Sequence, residues 1–250
     1  MVKNMNYLCI SDFDGTLIKK DKTISNYTKE IIDLFTKSNN FIIISSSSFD
    51  ELLSFKNQYD LNIDLFSISD CKLSINNQLY TYQIESKKIN ILITLFKDYI
   101  YTAYNDKTIY NYQERLQFIY PKKYIISDKF EDSSFINIAI NINKKDDFLS
   151  FLEANELYAD LIGEDKNRAF FSVKMVNKSK AYDIIINYYE NKKTIGFSDS
   201  YSDFNIINKC DIKVAMENAD DNLKQNSDYI TSSNNEDGVA KILDNICHLK

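Results

Sequence analysis

The sequence predicts an α/β protein, a doubly wound parallel-sheet core interrupted by an inserted α+β domain. Three observations predict it. Near both ends of the chain, short continuous apolar runs alternate with stretches of helical spacing, as in a parallel sheet covered on both faces. In between, Ile136, Ile138, Ile140 and Ile142 alternate strictly with polar or small residues, which gives an antiparallel sheet one dry face and one wet face. The length, 250 residues, corresponds to about 1.7 domains of ordinary size.

Each element has its own signal. Tyr7 to Ile10 is a short apolar strand ended by an Asp/Gly turn. Ser25 is a natural N-cap for a helix that carries Ile31, Ile32, Leu34 and Phe35. Phe41 to Ile44 is a second strand, ended by the serines 45–48, and Leu52, Leu53 and Phe55 mark the next helix. Leu65 to Ile68 is the third strand. Residues 74–173 form the insert, with a helix over 146–155 and strands over 157–162 and 169–174. The core is then 1–73 with 174–250. Its second segment has a helix over 181–189, a strand over 194–197, a helix over 204–207, a strand over 212–215 and a closing helix over 239–246.

Composition excludes several classes. Lys plus Arg is 30 and Asp plus Glu is 36, a net charge of −6. Such a chain has no general attraction to nucleic acid or anionic membrane, so any phosphate is bound locally. No apolar stretch approaches a membrane span and no secretory leader is visible, so a cytoplasmic protein is expected. The single histidine, His248, argues against histidine triads and His-rich zinc sites. Cys9, Cys71, Cys210 and Cys247 have no CxxC spacing, as expected of reduced thiols in a reducing compartment. Four glycines and one proline exclude linker-like and collagen-like chains.

Polar groups fall where strands end. Asp12 and Asp14 follow the first strand, Ser45 the second, and Asp199 and Asp203 the strand at 194–197; Lys178 opens the second core segment. Ligands of open parallel sheets bind beyond the carboxyl ends of the strands, so these groups should converge. Their types suit phosphoryl transfer. One carboxylate attacks phosphorus and forms an aspartyl-phosphate. A second, two residues on, works as general acid and then general base. A divalent cation relieves the crowding of negative charge, and hard oxygen ligands select magnesium. A lysine and a hydroxyl hold the remaining phosphate oxygens.

The run Ile10-Ser-Asp12-Phe-Asp14-Gly-Thr16-Leu17 resembles the first motif of the haloacid dehalogenase superfamily. Phe41 to Ser48 resembles its second motif, Val176-Asn-Lys178-Ser-Lys-Ala181 its third, and Gly196-Phe-Ser-Asp199-Ser-Tyr-Ser-Asp203 its fourth. Val214 to Ala219 and Asp237-Gly-Val-Ala240 resemble the tail of the Cof-type subgroup (subclass IIB), and the insert resembles its cap domain. The resemblance implies a magnesium-dependent phosphatase of a small phosphorylated metabolite, a sugar phosphate or similar, with the cap choosing the substrate. It implies Asp12 as nucleophile and Asp14 as acid–base residue. Magnesium would be held by Asp12, the Asp14 backbone carbonyl and Asp199. Ser45, Ser46 and Lys178 would bind phosphate, and Asp203 with Ser202 would support the metal or orient Lys178.

The chain also departs from the pattern. Ser45-Ser46-Ser47 stands where the subgroup often has Thr-Gly-Arg, and Ser198 and Ser202 stand where Gly and Asn are common. Other readings remain: a phosphotransferase or phosphomutase of the same superfamily, or a non-catalytic phosphate-binding sensor. A phospho-accepting receiver domain is about half this length and has no large insert. Within the insert, Tyr99, Tyr101, Tyr104, Tyr110 and Tyr112 lie close together; they either stack on a sugar or base or are ordinary half-buried aromatics. Arg115 and Arg168 are the only arginines, and Arg168 either faces the substrate or is a solvated turn residue. The chain is expected to be a monomer or a homodimer.

Overall fold

The computed structural model describes residues 6–110 and 125–248. The chain runs through β1 (Tyr7–Ser11), α1 (Asn26–Phe35), β2 (Asn40–Ser45), α2 (Phe49–Gln58), β3 (Asp64–Ser67), β4 (Lys72–Ile75) and β5 (Gln78–Thr81). Then follow α3 (Ser86–Phe96), β6 (Ile100–Tyr104), β7 (Thr108–Tyr110), β8 (Ile125–Ile126), β9 (Phe135–Asn141), α4 (Lys145–Ala154), β10 (Tyr158–Glu164) and β11 (Arg168–Lys174). The last part is α5 (Lys178–Tyr188), β12 (Lys193–Ser198), α6 (Phe204–Ile207), β13 (Ile212–Ala215), α7 (Asp221–Gln225), β14 (Tyr229–Ile230) and α8 (Gly238–His248). Two compact units result, Met1–Tyr80 with Lys178–Lys250, and Thr81–Asn177.

The first unit is built on an eight-stranded sheet of order β14-β13-β12-β1-β2-β3-β4-β5. From β14 to β3 every pairing is parallel. Its strands read as continuous apolar runs because both faces are covered. Cys9, Phe41, Ile43, Leu65, Ile195 and Phe197 pack with Ile32 and Phe35 of α1, Leu52 of α2, Leu223 of α7 and Leu243 of α8. On the opposite face α5 lies over β2 and α6 over β12. Ser25 caps α1 by accepting a hydrogen bond from the Thr28 amide, so that Ile31, Ile32 and Phe35 come to the sheet. Past Ser74 the sheet continues: β4 runs antiparallel to β3, and Asn76 and Asn77, at φ of 50° and 61°, turn the chain into β5. Asparagine tolerates that left-handed region better than most residues.

The second unit is a six-stranded sheet, β10-β11-β9-β6-β7-β8. Ile136, Ile138 and Ile140 point to its dry face, where they join Phe171 and Val173 and the helices through Ile89, Leu92, Phe96, Phe148 and Leu152. Phe148 sits between Phe96 and Phe171, with ring centroids 5.5 and 5.3 Å away. The sheet is not wholly antiparallel as the alternation predicts: β8 joins β7 in parallel, a pairing of two residues too short to leave a periodic signal. Tyr112 and Arg115 lie outside the described residues. None of the four cysteines is in a disulfide; Cys9, Cys71 and Cys210 are buried and Cys247 is half-buried. No helix among the described residues is long and apolar enough to cross a membrane.

Gly196, in β12, is where the sheet admits α6. A Cβ there would stand 2.7 Å from Cys210 Sγ and 2.9 Å from Ile207 Cδ1. Gly196→Ala is therefore expected to cost about 1–3 kcal/mol by overpacking, measurable as a lower midpoint in urea unfolding.

Candidate functional site

The parallel register sets one edge of the first unit. Ser11 stands opposite Phe197 on one side and Ile43 on the other, so β1, β12 and β2 end nearly level. Asp12, Asp199 and Ser45 thus lie at one edge although they are far apart in sequence. The Asp12 amide still donates to the Phe197 carbonyl (3.0 Å), which holds the residue to the sheet. Beyond it Phe13 is buried, and its carbonyl accepts from the Leu17 and Ile18 amides (3.0 and 3.1 Å). The loop closes on itself as a result. Gly15 sits at φ +73°, and a Cβ on it would fall 2.1 Å from Asp199 Oδ2. Both the conformation and the close approach require glycine.

Lys178, the first residue of α5, ties the groups together. Its ammonium donates to Asp12 Oδ1 (3.0 Å) and to Asp203 Oδ1 (2.7 Å). Asp203 is only 3% exposed, and its other oxygen accepts from Ser198 Oγ (2.9 Å). Asp199 Oδ1 accepts from Thr16 Oγ1 (3.1 Å). The Gly15 carbonyl accepts from Asn218 Nδ2 (2.8 Å), which pins the loop from the side of β13.

Burial and charge oppose each other here. Removal from water raises the Asp12 carboxyl, Lys178 pulls it down and Asp203 pushes it up again, leaving it at about 6. Burial likewise raises Asp199, with Thr16 partly offsetting it. Burial by itself would lower Lys178, but the Asp12 and Asp203 carboxylates leave it raised, a firm cation. The site thus carries more buried negative charge than one ammonium neutralises. Among the described residues no cage of three or more His, Cys, Asp or Glu side chains exists. The available donors are hard oxygens, those of Asp12 and Asp199 and the Asp14 backbone carbonyl. That set fits magnesium, which is usually held by one or two carboxylates and completes its octahedron with water and substrate phosphate.

The remaining predicted residues are placed differently. The Asp14 side chain is half exposed and turns to Lys22 and to Ser47, whose Oγ donates to Oδ2 (3.1 Å). Ser45 is buried at the end of β2, where its Oγ accepts from the Ser47 amide (3.0 Å). Ser46 is exposed beside it. Ser202 does not reach Asp203: it is exposed, and its Oγ pairs with Ser200 Oγ at 2.9 Å. The hydroxyl on Asp203 is that of Ser198, which ends β12 pointing into the site, whereas Ser202 lies on the outer side of the turn after it. Ser198, Thr16, Ser47 and Lys22 are thus contacts that sequence reasoning missed. Thr16 and Ser47 lie inside quoted motifs; Lys22 gives no sequence signal among so many lysines. In the second unit Arg168 pairs with Asp165 (2.7 Å), its guanidinium 5.8 and 5.3 Å from the ring centroids of Tyr101 and Phe170.

Known proteins resemble this chain. The sequence model of the haloacid dehalogenase-like hydrolases matches residues 9–243. A curated putative phosphatase of Haemophilus influenzae is 27% identical over 255 residues, 94% of this chain and 95% of its own. The 5-amino-6-(5-phospho-D-ribitylamino)uracil phosphatase YitU of Bacillus subtilis is 23% identical over 264 residues, 95% of this chain and 96% of its own. Among solved structures, TM0651 of Thermotoga maritima superposes with a TM-score of 0.66 at 18% identity, covering 96% of this chain and 97% of that one. This last likeness shows the fold.

The raised Asp12 has a consequence for stability. A carboxyl with a folded pKa near 6 and an ordinary unfolded value near 4 makes the fold less stable as pH rises through that window, and the loss is complete above it. In chelator, Asp12→Asn is expected to stabilise the protein by ~1–3 kcal/mol above pH 6 and by little at pH 4. Thermal unfolding of both proteins across that range checks it.

Proposed function

Because the chain belongs to the haloacid dehalogenase-like hydrolases, as a phosphatase of the Cof type, we propose that it is a magnesium-dependent phosphatase of a small phosphorylated metabolite, acting through an aspartyl-phosphate on Asp12. The observation that carries the reading is the Lys178 ammonium joining Asp12 to Asp203 beside Asp199.

In the first step the Asp12 carboxylate attacks phosphorus. A new P–O bond forms, the bond to the leaving alcohol breaks, and that oxygen takes the proton of the Asp14 carboxyl. In the second step water attacks the same phosphorus and gives its proton to the Asp14 carboxylate. The bond to Asp12 then breaks, and inorganic phosphate leaves with the Asp12 carboxylate restored. Lys178 neutralises charge on the transferring phosphoryl oxygens, and Asp203, fixed by Ser198, keeps the ammonium in place. Ser45 and Ser46, at the end of β2, would bind a phosphate oxygen. Asp12, Asp199 and the Asp14 backbone carbonyl are the residues that would hold magnesium. Bound there, it supplies Lewis-acid polarisation of the phosphate and charge neutralisation.

We assign substrate choice to the insert and propose a phosphorylated sugar or sugar alcohol as substrate. The YitU relative, whose name specifies a phosphoribityl compound, supports that class. Four cysteines outside any disulfide suit the cytoplasm.

Purified protein is expected to release inorganic phosphate from sugar phosphates with magnesium and to lose that activity in chelator. Asp12→Asn should lower kcat by more than about 10³-fold and Lys178→Met by about 10²–10³-fold, the scale of a lost charge-stabilising donor. Colorimetric phosphate release measures both. Full turnover by Asp12→Asn would overturn the nucleophile assignment.

A further inference from the structure

We propose that Lys22 and Ser47 are positioning residues for the Asp14 carboxylate, an inference that rests on the phosphatase reading above. Each Asp14 oxygen has its own partner, and the two partners come from separate parts of the chain. The Lys22 ammonium pairs with Oδ1, and Ser47 Oγ donates to Oδ2. A half-exposed aspartate with neither partner samples several rotamers. One held at both oxygens is confined to a single orientation.

The backbone at Lys22 is shaped to this end. The Lys22 amide donates to the Lys19 carbonyl and the Lys19 amide to the Thr23 carbonyl, both at 2.9 Å. Asp21 Oδ1 accepts from the Thr23 amide (3.1 Å) and hydroxyl (2.6 Å). In this tight turn Lys22 stands at φ +65°, a left-handed conformation that is costly for a residue with a Cβ and that glycine or asparagine fills more easily. The lysine at this position reaches back eight residues to Asp14. The pair is well exposed, 61% for Lys22 and 48% for Asp14, so it contributes little to stability. Its effect is geometric, and small misplacement of a reacting group is costly: about 1 Å can lower a rate 10²-fold.

The experiment uses the dependence of proton delivery on the leaving group. An alkyl phosphate such as glycerol phosphate needs its leaving oxygen protonated, whereas p-nitrophenyl phosphate loses a stable phenolate. Values of kcat/KM for both substrates are measured for the full chain and for Lys22→Met, Ser47→Ala and Lys22→Arg. Lys22→Met and Ser47→Ala are expected to lower the alkyl value about ten-fold more than the aryl value, and Lys22→Arg to restore most of the difference. Equal losses on both substrates, or no loss on either, overturn the inference while leaving the phosphatase reading intact. A parent chain that releases phosphate from neither substrate overturns that reading, and this inference with it.

Discussion

The site depends on one ammonium placed between two buried carboxylates. Without Lys178, Asp12 and Asp203 would face each other across a dry sheet edge with nothing to offset their repulsion. With it, Asp12 is anchored at one oxygen and Asp203 is committed at both. Burial still wins at Asp12, whose carboxyl is raised to about 6. The remaining excess of negative charge is of the kind that a divalent cation would offset.

Topology brings these groups together. Each parallel crossover returns the chain to the same end of the sheet, so the residue after every strand arrives at one edge. Asp12, Ser45 and Asp199 therefore meet with no contact between them in sequence. Lys178 arrives differently, at the N-terminus of a helix that packs over β2, and reaches the same edge from the side. Gly15 completes the arrangement by letting the β1 loop lie directly against Asp199.

Much of this was legible in the sequence. Continuous apolar runs identify β1, β2, β3 and β12 because strands covered on both faces cannot alternate. Strict alternation identifies β9 because its insert is covered on one face. The short pieces were not legible. β8 and β14 are two residues each, below the length at which a period can be read, and β4 with β5 depends on a two-asparagine turn. At the site, residue types following strand ends located Asp12 and Asp199, and the start of the second core segment located Lys178. The choice between Ser198 and Ser202 as the partner of Asp203 was beyond sequence reasoning, because it depends on which way each side chain points after the strand. Lys22 was equally hidden, since its role comes from a left-handed turn that nothing around it announces.

The tight fit of Gly196 against Cys210 also bears on chemical durability. The sulfur is buried against β12, the strand that leads into Asp199. Its thiol is pushed up to about 12, chiefly by burial, so the thiolate that peroxides attack is scarcely present. Oxidants should therefore reach the half-buried Cys247 in α8 first. The strand that leads into Asp199 would then be spared while Cys247 is oxidised.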